Sequence, residues 1–214
     1  VKPAEKLAAD LKAATGHEIP VSGGATGKLY AQISEGAPFD ALLAADAKTP
    51  ARLVTDGAAA SDPFPYATGV LVLWSADPAH DLGAPRAALA AARHVAVANP
   101  DVAPYGKAAM ETLDKLGLTD TLKDRIVTGE NIGQTQTLVA SGAAEIGFVA
   151  ASGLAGDAGG SRWDVPADLH APIRQDAVLL KHGEGNAAAK AFIDYLASDA
   201  GKAVIASYGY ATGN

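Results

Sequence analysis

The chain predicts an α/β fold with two lobes, each a mainly parallel sheet flanked by helices. Two observations carry this. Strand-like and helix-like patterns alternate along all 214 residues, which is the signature of sheets covered on both faces. Two apolar segments, YATGVLVLW (66–74) and PIRQDAVLLK (172–181), read as crossings between lobes. They give a discontinuous first lobe, residues 1–67 and 182–214, and a continuous second lobe, residues 68–181.

The elements follow in order. Residues 3–15 place Leu7 and Leu11 four apart, and Gly16 stops the helix. Gly27 to Ser34 reads as a short helix with Leu29, Tyr30 and Ile33 on one side. FDALLAAD (39–46) reads as a buried strand. Thr49-Pro50 reads as a helix cap with proline in the first turn, and that helix ends near Gly57. DPFPYAT (62–68) is a proline-rich break before the strand GVLVLWS. A helix is expected at 85–92, then the strand HVAVANP (94–100). Residues 105–117 form a helix with Ala109, Leu113 and Leu116 on one face and Gly117 as its stop. A second helix is expected over 119–126. GENIGQTQTLVASG (129–142) is a loop leading into a helix, and AEIGFVAAS (144–152) is a strand. GLAGDAGGS (153–161) is a Gly-rich loop. RQDAVLLKH (174–182) is a strand, and two helices close the chain.

Composition excludes several function classes. A formal charge of -7 and a pI near 5.1 lack the basic face that nucleic acid or an anionic membrane requires. No run reaches 18 apolar residues, so no helical span is expected. The absence of cysteine removes disulfides, thiolate catalysis and Cys-ligated metals. The opening VKPAEKLAAD has neither the charged region nor the apolar region of a signal peptide, as in a mature processed protein.

The stretch SGGATGKLY (22–30) is the most suggestive motif. A phosphate-binding loop of the form G-x-x-x-x-G-K-[ST] fails at two fixed positions. Ser22 replaces the first glycine and Leu29 replaces the magnesium-binding hydroxyl. The spacing of Gly23, Gly24 and Gly27 also fails the dinucleotide fingerprint. What remains is a helix start. GGATG (23–27), APYG (103–106) and ENIGQ (130–134) share one design, a polar or glycine-bearing turn directly before a helix. Unpaired N–H groups and the helix dipole favour an anion at such starts, although each taken alone reads more readily as a plain cap, and only several converging starts would favour an anion.

No enzyme chemistry emerges. His17, His80, His94, His170 and His182 lie at no metal-ligand spacing. No G-x-S-x-G is present. Asp40, Asp46 and Asp176 flank apolar runs, as capping or hinge residues do. Trp74 and Trp163 read as packing residues. Tyr105 differs, because it opens a helix at a loop.

The segments GKLYAQISEGAPFDALLAAD, YATGVLVLWS, ANPDVAPYGKAA, GENIGQTQTLVASGAAEIGFVAAS and PIRQDAVLLK occur in this order. Together they resemble the periplasmic molybdate- and tungstate-binding proteins of bacterial ABC transporters, over essentially the whole chain. The resemblance implies a type II periplasmic binding fold with the ligand in the cleft between lobes that close by hinge motion. It implies uptake of molybdate or tungstate and delivery to a membrane permease, with no catalysis, no cofactor and no direct protein–metal bond. Molybdenum would be held as molybdate. A periplasmic location and a monomer complete the expectation. Position by position, Thr26 matches the family's hydroxyl ligand, with Ala25 beside it. Tyr105 matches a backbone donor that carries a phenol in one branch, and Ile132 matches a backbone N–H donor. Ala150 stands where some members place a ligating tyrosine. The family's first strand, with its ligating Ser or Asn, has no counterpart in lobe one. The rival readings are a binding protein for sulfate or phosphate, the effector domain of a transcription regulator, and an enzyme. The last two need a DNA-binding segment or a catalytic set, neither of which these residues supply.

Overall fold

The computed structural model describes residues 1–156 and 158–211. Asp157, within the Gly-rich loop expected at 153–161, lies outside the described residues. The chain divides into two units: residues 1–69 with 174–214, and residues 70–173.

Among the described residues the first unit holds three strands, β1 (Ala41–Leu43), β2 (Phe64–Gly69) and β8 (Ile173–Leu179), in the order β1-β8-β2. Its helices are α1 (Lys2–Thr15), α2 (Thr26–Ser34), α3 (Lys48–Thr55), α8 (Ala187–Ala197) and α9 (Asp199–Ser207). Period-two alternation sends neighbouring strand residues to opposite faces. Leu42, Ala44, Val178 and Leu180 pack with Leu53 of α3 and with Leu29 and Ile33 of α2. Leu43, Tyr66, Ala67 and Ala177 pack on the other face with Leu7 and Leu11 of α1, Phe192 of α8 and Ile205 of α9. Gly16 closes α1 at φ 79°, returning its N–H to the Lys12 carbonyl.

The second unit holds β3 (Leu71–Ser75), β4 (Val95–Ala98), β5 (Ile126–Gly129), β6 (Ile146–Ala150) and β7 (Ser161–Asp164), in the order β5-β4-β6-β3-β7. The helices are α4 (Pro85–Ala91), α5 (Pro104–Lys115), α6 (Thr119–Leu122) and α7 (Ile132–Ala140). Val72, Trp74, Ala96 and Val149 join Val139 of α7 in one cluster. The alternate residues Leu71, Leu73, Val95, Ile146 and Phe148 are fully buried too, so both faces of this sheet are covered. Helix α5 lies close to β4. A Cβ on Gly106 would come within 2.0 Å of the Ala98 carbonyl oxygen, so only glycine permits that approach.

Several expectations need correction. The boundary placed at 181/182 falls at 173/174. Residues 174–180 belong with the first unit because β8 pairs with β1 from Ala41–Leu179 to Leu43–Ala177, and the Leu180 N–H donates to the Asp40 carbonyl. The sheets are mixed rather than mainly parallel. β4 runs parallel to β5 and β6, whereas β3–β6, β3–β7 and β1–β8 are antiparallel. DPFPYAT contains strand β2. Pro65 is an exposed residue of this strand, which lies at the end of the sheet order, where proline is more readily accommodated. The helix over 119–126 stops at Leu122, and β5 begins at Ile126. After the Gly-rich loop, Ser161–Asp164 form the edge strand β7, an element the sequence pattern does not predict. FDALLAAD keeps only Ala41–Leu43 as strand. Asp46, not Thr49, serves the start of α3: its carboxylate accepts the Thr49 N–H at 2.8 Å.

Candidate anion-binding site

Helix α2 opens without a capping side chain. Its N-cap is Ala25, in extended backbone, and its first turn carries no acidic residue. Ala25 and Thr26 are 4% and 5% exposed, so water does not freely satisfy this start. The first amides of a helix have no partner within it. An uncapped, buried start therefore leaves donors that a ligand can satisfy. The Thr26 hydroxyl oxygen accepts the Ala45 N–H at 3.2 Å. With that acceptor site occupied, its own O–H is set to donate.

The second unit gathers the other predicted residues at one end of its sheet. β4 and β5 run parallel with Ala98 opposite Gly129, and β4 and β6 are also parallel. Their C-terminal ends therefore lie on the same side, where open α/β sheets present ligand-binding loops. Tyr105, in the first turn of α5 after β4, and Ile132, which opens α7 after β5, stand there, as does Ala150 at the end of β6. Tyr105 is 4% exposed and Ala150 5%, and Ile132 is half-buried. Helix α5, like α2, has an alanine N-cap, Ala103, with no capping side chain and no first-turn acid. Helix α7 is capped: Asn131 accepts the Gln134 N–H at 2.8 Å. Its first turn also lacks an acid. In a chain with 24 acidic and 17 basic residues, three starts without carboxylates leave their dipoles open to an external anion.

The aspartates read as flanking residues have structural partners. Asp176, 3% exposed, takes two bonds from Arg174, at 2.8 and 2.9 Å, which raise the guanidinium pKa further. Asp40 accepts from His182 at 2.8 Å and from the Asn186 amide at 3.2 Å. Among the described residues no group of three His, Asp or Glu side chains is placed to hold a metal ion, and no helix is long and apolar enough to cross a membrane.

Sequence reasoning missed Ala45. It acts through its backbone, 19 residues from Thr26, and no side-chain pattern signals it. It also missed the Tyr66 hydroxyl, which bridges the Ala44 carbonyl at 3.0 Å and Gln175 Oε1 at 3.1 Å and so steadies the backbone next to Ala45.

Residues 1–211 match the family model described as bacterial extracellular solute-binding protein. The chain belongs to that family. It is 47% identical to a Rhodobacter capsulatus protein named molybdate-binding protein ModA, over 99% of this chain and 84% of that one. The structure matches that of the Azotobacter vinelandii periplasmic molybdate-binding protein with a TM-score of 0.93 and 38% identity, covering 100% of this chain and 95% of the other. It also matches the substrate-binding domain of a putative molybdenum ABC transporter from Clostridium difficile, with a TM-score of 0.72 and 27% identity over 100% and 94%. These are type II periplasmic binding folds, the class expected from the sequence resemblance.

Proposed function

We propose that this chain binds molybdate, and tungstate at the same site, in the periplasm, and delivers it to the permease of an ABC transporter without chemical change. The observation that carries the reading is the start of α2, which is buried, uncapped and free of acids, with a Thr26 hydroxyl set to donate. The names and near-complete coverage of the relatives support the choice of anion. Thr26 with Ala25, and Tyr105 with Ile132, are the proposed donors.

A site of donors without acceptors selects a fully deprotonated tetrahedral dianion. Hydrogen phosphate would bring a proton with nothing to accept it, at a cost of about 1–3 kcal/mol. Sulfate has the same charge and shape as molybdate, so only the size of the site can reject it. Each charge-assisted bond contributes about 1.5–3 kcal/mol, so several together offset the lost hydration of the anion. Isothermal titration with molybdate, tungstate, sulfate and phosphate tests this. The expected result is tight binding of the first two and weak or no response to the others. Equal heats for sulfate and molybdate overturn the size argument, and silence to all four overturns the reading.

A further inference from the structure

Strand β1 leaves its ladder irregularly at Ala44. Antiparallel partners that hydrogen-bond do so twice, each N–H to the other's carbonyl. The β1–β8 register pairs Ala41 with Leu179 and Leu43 with Ala177, so Ala44 faces Asp176. The Ala44 N–H donates to the Asp176 carbonyl at 3.0 Å, but the Asp176 N–H passes over Ala44 and donates to the Asp46 carbonyl at 3.2 Å. The Ala44 carbonyl is thereby released from the ladder. Ala44 is 1% exposed, and a buried carbonyl needs a replacement donor. The Tyr66 hydroxyl supplies one at 3.0 Å, reaching across β8 from β2. The N–H of the same peptide group is that of Ala45, which donates to the Thr26 hydroxyl oxygen at 3.2 Å. One peptide group thus takes a bond from Tyr66 at its oxygen and gives one to Thr26 from its nitrogen.

We propose that Tyr66 is a positioning residue for the anion site, acting on Thr26 through the Ala44–Ala45 peptide group. The inference rests on the oxyanion reading above. A peptide group is a rigid plane, so a bond at its carbonyl helps to fix the direction of its N–H. Donation to the carbonyl also polarises the amide and strengthens the bond that its N–H makes in turn. That N–H occupies the Thr26 oxygen and leaves the Thr26 O–H to donate. Without the phenol the released plane can rotate, and Thr26 loses the partner that aims it. Tyr66 is itself held on two sides. Its ring packs against the cluster that includes Phe192 and Leu196, and its hydroxyl lies 3.1 Å from Gln175 Oε1, on a side chain 2% exposed. The phenol proton faces protein oxygens, so Tyr66 acts at one remove from the anion.

The test is Tyr66→Phe in the full chain, which keeps the ring and removes the hydroxyl. In the anion-free protein, NMR should show amide hydrogen exchange at Ala45 quickened roughly threefold or more. Leu42 and Val178, in the regular part of the same sheet, should keep their rates. Unchanged exchange at Ala45 overturns the inference. Equal quickening at all three amides also overturns it, because it marks a general loss of stability. In titration, molybdate should bind the variant roughly three- to tenfold more weakly than the parent, the equivalent of one neutral hydrogen bond. In a Thr26→Val background the same change should alter affinity by less than about twofold, because the group it acts through is gone. Losses that simply multiply overturn the inference, as does a Tyr66→Phe affinity equal to the parent's. A parent chain that binds no anion overturns the oxyanion reading instead, and exchange at Ala45 still decides whether Tyr66 holds the peptide group.

Discussion

The two units position their candidate donors by different means. In the second unit, Tyr105 and Ile132 stand at helix starts fed by neighbouring parallel strands, so the ladder from Val95–Ile126 to Ala98–Gly129 sets their placement. In the first unit, α2 follows a stretch with no regular structure. Its start is held by packing and by the bond from the Ala45 N–H to Thr26. One unit fixes donors through the sheet and the other through a side chain. Thr26 therefore takes part in building the start of α2 as well as being a candidate donor there.

The largest expected effect probes how tightly each unit is packed. Phe148→Ala, at a fully buried position in the five-stranded sheet, is expected to cost about 3–5 kcal/mol. Phe192→Ala is made in the wall of a cavity of the first unit, where neighbours can settle, and should cost no more than the lower end of that range. Urea denaturation of both variants measures the difference, and a reversed order would break the comparison.

Next comes Thr26. Thr26→Val removes the donated bond and leaves the Ala45 N–H without its acceptor. Molybdate affinity should fall about ten- to a hundredfold, the equivalent of one charge-assisted hydrogen bond. Stability of the anion-free protein should also fall, by about 1–3 kcal/mol if that amide stays buried. Thr26→Ser should preserve both. Paired titration and melting separate the two roles: a loss of affinity with no loss of stability would show that Thr26 lines the site without building it.

A smaller effect is expected at the capped helix. Asn131→Ala should cost about 0.5–2 kcal/mol through the lost bond to the Gln134 N–H, measured by denaturation without ligand. The smallest effect concerns Glu145. Burial opposes its ionisation, but the His94 N–H, its own backbone N–H and the Arg93 guanidinium together hold its carboxyl below the ordinary value of 4.5. A lowered folded pKa gives stability that is present above that value and is lost as pH falls through the folded one. Glu145→Gln should therefore shallow the acid limb of a stability–pH profile and reduce stability slightly at neutral pH. An unchanged acid limb would sink this assignment.

The helices were legible because α1, α5 and α8 repeat apolar residues at helical spacing and meet glycine stops or asparagine caps. The central strands β3, β4 and β6 were legible as short apolar runs. The edge strands β2, β5 and β7 were not. β5 is short and has no period-two burial pattern, β7 alternates half-buried and exposed residues with no buried one, and β2 carries a proline, so local pattern argues against each and only the sheet supplies their reason. Of the candidate site, the helix starts were legible from turn chemistry, and the resemblance chose among the residues. The Ala45 contact was not legible, since a backbone amide has no sequence signature.

The place of β8 has a consequence for how the chain reaches its native state. This strand lies between β1 and β2, yet it comes more than a hundred residues after both. The first unit cannot close its sheet until nearly the whole polypeptide is available, and contacts of such long sequence separation form slowly. The second unit draws on one continuous stretch and has no such wait. Refolding should therefore be sequential, with native exchange protection at Val97 and Phe148 appearing before protection at Leu42 and Val178. During that interval Leu7, Leu11 and Phe64 remain uncovered, and the emerging chain is at its most exposed to aggregation.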